Sequence, residues 1–177
     1  LNQRDTKKYR WAFPPKMNII SHNLETGVTT ALVTDEENYL AEGSWSPDAR
    51  HLVYCSLASG SGDIYITDLK TGVDRLIVGD TGYDGGPFFS PDGTQIVWRR
   101  FDKSGARAEI YTMNCDGTNV KQITDLGMMS WAPFYHPTGK YIVFSSNKYG
   151  FENFELFLVD TLGTSSPIRI TEREGFD

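Results

Sequence analysis

Three histidines, two cysteines and an excess of carboxylates are the residues through which this 177-residue chain could do chemistry. Their spacing argues against most of it. His22, His51 and His136 are scattered, and no H-E-x-x-H pair exists to seat a metal on one helix face. Ser59-Gly60-Ser61-Gly62 is out of register with the G-x-S-x-G elbow of a serine nucleophile and reads as a loop before Asp63. Cys55 and Cys115 lack metal-ligand spacing and are too few for a disulfide framework. They read as small strand or turn residues, with a single bridge between them left open. Asp63, Glu109 and Glu155 are the most regular carboxylates, spaced 46 and 46 residues apart. Acid–base catalysis needs two carboxylates that converge from non-equivalent positions. One that recurs once per repeat reads instead as a structural hydrogen-bond acceptor. No residue is assigned a catalytic role, and no metal set is found.

The elements that hold these residues follow from the same spacing. Ser46-Pro47-Asp48 recurs as Ser90-Pro91-Asp92 and, altered, as His136-Pro137-Thr138, at intervals of 44 and 46. Asn23, Asp68, Asn114 and Asp160 mark a second turn at intervals of 45, 46 and 46. Repetition at this period is the signature of a stacked architecture. Within one copy, Pro87–Ser90 is an extended apolar run, and Pro91-Asp92-Gly93 supplies the fixed φ, side-chain acceptor and positive φ of a tight turn. Gln95–Phe101 and Ala108–Met113 alternate with period two, Cys115–Thr118 forms a hairpin turn, and Val120–Thr124 is an outer strand. Apolar residues fall on both faces of the middle strands, so each small sheet needs a neighbour on either side.

These features predict an all-β fold of four-stranded antiparallel propeller blades. The predicted division is a partial blade over 1–38, blades over 39–84 and 85–129, and a blade plus the lead-in to the next over 130–177. The total is about three and a half blades of a ring that, at six, would need roughly 270 residues. An open arc leaves faces and edges uncovered, so an oligomer or a longer chain that closes the ring is expected. The start of each innermost strand faces the central channel of a propeller. Glu42, Asp84, Ser130, Trp131 and Asp177 are therefore the candidate channel residues. Glu42, Asp84 and Asp177 are candidate oxygen ligands for a cation such as Ca²⁺, and Trp131 a candidate contact for a peptide or sugar. Solvated channel lining and blade-interface filling are the plainer alternatives, and no cofactor is otherwise expected.

The run Gly82–Gly93, with Ile110–Asn114 and Gln122-Ile123-Thr124, resembles the TolB-type Pro-Asp propeller repeats, and the resemblance covers about 17–177. It implies a six-bladed, periplasmic or secreted propeller that docks a protein or peptide partner. TolB-like propellers also stand ahead of peptidase domains, so an accessory or gating domain of a secreted peptidase is one alternative reading. A metal-dependent propeller lyase is another. A net charge of −6 gives phosphate-tracking nucleic-acid binding little footing, and no run of 18 apolar residues exists to span a membrane. The chain opens on Leu1 without a leader of signal-peptide type, which reads as a mature or excised segment.

Overall fold

A computed structural model describes residues 13–79, 82–173 and 175. Fourteen strands and no helix are found among them. A hairpin of β1 (Ile19–His22) and β2 (Thr29–Val33) is followed by three antiparallel meanders. Blade A comprises β3 (Leu40–Trp45), β4 (His51–Ser56), β5 (Asp63–Asp68) and β6 (Val73–Val78). Blade B comprises β7 (Asp84–Phe89), β8 (Gln95–Phe101), β9 (Ala108–Asn114) and β10 (Lys121–Gln122), and blade C comprises β11 (Ser130–Tyr135), β12 (Tyr141–Ser146), β13 (Glu155–Asp160) and β14 (Ile168–Arg169). By repeat position β1 and β2 are a third and fourth strand. The structure is thus a partial propeller of about three and a half blades.

Burial explains why the strands are apolar on both sides. Val53, Ile64 and Ile66 of blade A pack against Ile96, Trp98 and Met113 of blade B. Val97 and Ile110, on the opposite face of blade B, pack against Ile142, Phe144 and Phe157 of blade C. Successive residues of β8 therefore serve different interfaces, as period-two alternation requires. Both cysteines carry free thiols: Cys55 is buried in β4, and Cys115 is half-buried in a hairpin.

The Pro-Asp turns are built alike. Ser46 Oγ donates to Asp48 Oδ1 (2.5 Å) and accepts from His51 N (2.8 Å), and Ser90 and Asp92 repeat the arrangement with Gln95 N. In the third turn His136 Nδ1 takes the serine's place, 2.9 Å from Thr138 Oγ1. The residue after the acidic position is left-handed: Gly93 (φ 72°), Gly139 (φ 70°) and, in the first turn, Ala49 (φ 55°). A side chain there is strained by Cβ–carbonyl crowding. Ala49→Gly is expected to raise stability by about 0.5–1 kcal/mol, the relief of strain less the extra unfolded-state entropy of glycine. A denaturant midpoint unchanged or lowered would contradict this.

The innermost strands share a second irregularity. Pairing of β3, β7 and β11 with their neighbours skips Glu42-Gly43, Gly86-Pro87 and Ala132-Pro133. The first residue of each skipped pair has positive φ: 57° at Glu42, 60° at Gly86 and 46° at Ala132. A bulge at the same position of every blade re-aims the side chains beside it.

Candidate functional site

β3, β7 and β11 pack side by side, so the starts of the three inner strands meet at one rim. The bulge of β3 turns Glu42 toward blade B, where its carboxylate takes three donors. Arg99 Nη2 bonds Oε1 at 2.5 Å, while Gly86 N and Tyr83 OH bond Oε2 at 2.8 and 3.1 Å. Arg99 lies on the face of β8 that looks to blade C, and its guanidinium stacks 4.1 Å from the centre of the Trp131 ring. It reaches Glu42 by passing the inner strand at Gly86, where a Cβ would collide with Nη1. The left-handed glycine opens that passage. One guanidinium thereby ties three blades together: carboxylate from A, cation from B, aromatic ring from C.

Burial sets the electrostatics. The Arg99 side chain is 4% exposed and that of Glu42 25%. Burial alone would lower the Arg99 pKa, but the adjacent Glu42 carboxylate more than offsets it and holds the guanidinium above its ordinary value. Around the pair, burial pushes the Tyr39 phenol up to about 12 and the Tyr83 phenol and Cys55 thiol well up. These groups stay protonated at neutral pH, and Tyr83 OH and Cys55 Sγ act as donors. Arg99 Nε is buried without a hydrogen-bond partner among the described residues.

The other expected rim residues turn inward. Asp84 is fully buried, and its Oδ1 accepts from Trp98 Nε1 (2.6 Å) and Arg100 Nε (2.7 Å). Its carbonyl accepts from Cys55 Sγ across the A–B interface at 3.3 Å. Ser130 is also fully buried, with Oγ 3.5 Å from Glu109 Oε2. Asp177 lies outside the described residues. The structure therefore brings together Glu42 and Trp131, and it does so through Arg99. A basic residue inside an apolar strand, opposite the glycine pair Gly85-Gly86, is the sequence signal that could have found it.

The chemistry available at the rim follows. Glu42 and Asp84 are each neutralised by a guanidinium of their own. Among the described residues no group of three His, Cys, Asp or Glu side chains is placed to hold a metal. Among the described residues, Glu42 and Asp84 thus commit their carboxylates to arginines and not to an open set of oxygen ligands. The repeated carboxylates are structural acceptors: Glu109 receives Thr124 Oγ1 (2.5 Å) and the amides of Leu126 (2.9 Å) and Gly127 (2.8 Å), and Glu155 receives Thr171 Oγ1 (2.6 Å) and Arg169. Toward solvent the rim offers a half-buried indole, the edge of one paired carboxylate and the exposed Ala132 bulge.

Comparison with known proteins agrees with this architecture. The family model described as the TolB beta-propeller domain matches residues 16–175. Atu1656, an uncharacterized protein of Agrobacterium fabrum, is 34% identical over 122 residues, which are 68% of this chain and 40% of that protein. The Tol-Pal system protein TolB of Francisella tularensis is 34% identical over 136 residues, 77% of this chain and 31% of TolB. The crystal structure of TolB from Acinetobacter baumannii superposes with a TM-score of 0.74 at 26% identity, over 93% of this chain and 43% of that one. The chain spans less than half the length of each of these three proteins. Among the described residues no helix is long and apolar enough to cross a membrane.

Proposed function

This chain belongs to the TolB beta-propeller domain family, and from that premise we propose that it is a non-catalytic scaffold segment that docks a protein or peptide partner at the inner-strand rim. The observation that carries the reading is the Glu42–Arg99–Trp131 cluster. Its ionisable groups are spent on one another, which suits a rigid recognition surface better than an acid, base or nucleophile. Trp is among the side chains most often found as anchors where proteins meet, and Trp131 is held in place beforehand by the Arg99 guanidinium stacked on it, so little rotamer freedom is lost on binding. Tol-Pal membership of a relative at 34% identity supports a periplasmic setting for the same reading. Exposed apolar residues at the two ends of the arc, such as Ile20 and Ile168, fit ring closure by further blades, from a longer polypeptide or from a second copy.

The test is a photo-reactive phenylalanine placed at Ala132, beside Trp131, in cells that express the chain. Discrete protein adducts are expected from position 132 and not from a control at the exposed tip residue Leu24. Adducts equal to the control, or hydrolysis of a peptide or glycan panel that disappears in Glu42→Gln, would overturn the reading.

A further inference from the structure

At the far ends of β3 and β7 from the rim, blades A and B part to leave a cleft of about 700 Å³. Pro47, Ile66, Val73 and Phe89 give it apolar walls, with Val73 62% exposed. Four carboxylates from four different turns frame it: Asp48 and Asp68 of blade A, Asp92 and Asp116 of blade B.

These carboxylates are ionised at neutral pH. The Arg50 guanidinium holds Asp68 down to about 2, and hydroxyl and amide donors within the turns lower Asp48, Asp92 and Asp116. Those turn bonds engage Oδ1 of Asp48, Asp92 and Asp116, and Oδ2 of each has no bond among the described residues. The nearby arginines cancel only part of this charge: Arg50 and Arg75 offset two of the four carboxylates and leave an excess of negative charge. Arg50 is paired with Asp68, and Arg75 gives Nη1 and Nη2 to the carbonyls of Asp116 (2.9 Å) and Cys115 (3.1 Å). The corresponding cleft between blades B and C is only about 290 Å³. Asp92 is its one carboxylate, because the third turn reads His136-Pro137-Thr138. Acidity is thus particular to the A–B cleft and is not a consequence of the repeat.

We propose that the A–B cleft docks a lysine- or arginine-bearing extended segment of a partner protein. The aliphatic stem of the basic side chain lies along Pro47 and Val73, and its cation sits between Asp48 and Asp92. The inference rests on the reading of the chain as a partner-binding scaffold and adds a contact face distinct from the rim.

The test is fluorescence anisotropy with a labelled Ser-Gly-Lys-Val-Lys-Gly-Ser peptide and its counterpart with both lysines replaced by glutamate. The lysine probe is expected to bind saturably and more weakly as salt rises, and the glutamate probe not to bind. Asp48→Asn with Asp92→Asn, which keeps side-chain turn acceptors, should weaken the lysine probe at least tenfold. Val73→Arg, at an exposed site that tolerates substitution, should do the same by placing a cation in the cleft. Equal binding by wild type and both variants, or no saturable binding by wild type, overturns the proposal. Lysine-probe binding without crosslinks at position 132 would remove the rim reading and leave this one standing.

Discussion

Replacing Glu42 by Ala is expected to cost about 3 kcal/mol of stability, the lower end of what stranding one partner of a buried ion pair costs. The lower end applies because Glu42 is itself partly exposed and Arg99 keeps its stack on Trp131. The substitution leaves the left-handed backbone at position 42 occupied by another Cβ-bearing residue, so strain is unchanged and the loss reports the carboxylate. Three donors lose their acceptor together: Arg99 Nη2, Gly86 N and Tyr83 OH. Glu42→Gln removes the charge and one acceptor but keeps one carbonyl oxygen, which can serve either Arg99 Nη2 or the Gly86 N and Tyr83 OH pair, and its loss should be smaller than that of Glu42→Ala. Urea unfolding of the two variants measures the difference. Similar losses would mean that the one retained oxygen contributes little, and that the charge together with the second acceptor carries the cost.

The second large effect lies at the outer edge of the same interfaces. Gly117, in the last hairpin of blade B, has φ 87°, and a Cβ there would sit 2.9 Å from the carbonyl oxygen of Ile77 in blade A. Gly163 of blade C repeats this contact at 3.2 Å from the Ile123 carbonyl of blade B. Each contact is flanked by a cation from the preceding blade's outer strand: Arg75 bonds the hairpin at Asp116, and Lys121 Nζ bonds it at Leu162 O (2.5 Å). Gly117→Ala adds a backbone collision to left-handed strain and is expected to cost roughly 2–4 kcal/mol. Gly163→Ala should cost less. Gly72→Ala, with φ 70° and open space, should cost only about 1 kcal/mol from strain alone. Thermal or urea midpoints of the three variants give the ranking. Equal losses at positions 117 and 72 would show that the hairpin glycines serve turn geometry and not blade contact.

Residues with an obvious period were legible and those that bridge repeats were not. β8 begins and ends where alternation and turn residues place it, over Gln95–Phe101, because its two buried faces impose period two from end to end. The outer strand of blade B is expected over Val120–Thr124, yet only Lys121–Gln122 forms a regular ladder, and the outer strand of blade C is equally short at Ile168–Arg169. The reason is local: Thr124 Oγ1 accepts from Ile110 N and Thr171 Oγ1 from Leu156 N, both at 2.9 Å, so a side chain stands where a ladder carbonyl would. At the rim, strand position pointed to Glu42 and Trp131. The starts of the inner strands in blades B and C also suggested Asp84 and Ser130, two residues before the bulge position that Glu42 holds in blade A, and these face the interior instead. Equivalence along the chain fixes which strand a residue occupies, while the neighbouring blade's side chain decides whether it meets solvent. Arg99 was missed because its partners come from two other repeats, 57 residues back in Glu42 and, ahead, in Trp131.

Hydrogen exchange on an Arg99→Met variant, which loses both the Glu42 and the Trp131 contact, tests most directly whether one guanidinium unites the three blades. Amides of β3, β7 and β11 are expected to lose protection together, since Arg99 holds all three inner strands. Loss confined to β8, with β3, β7 and β11 protected as in the unaltered chain, would contradict the account.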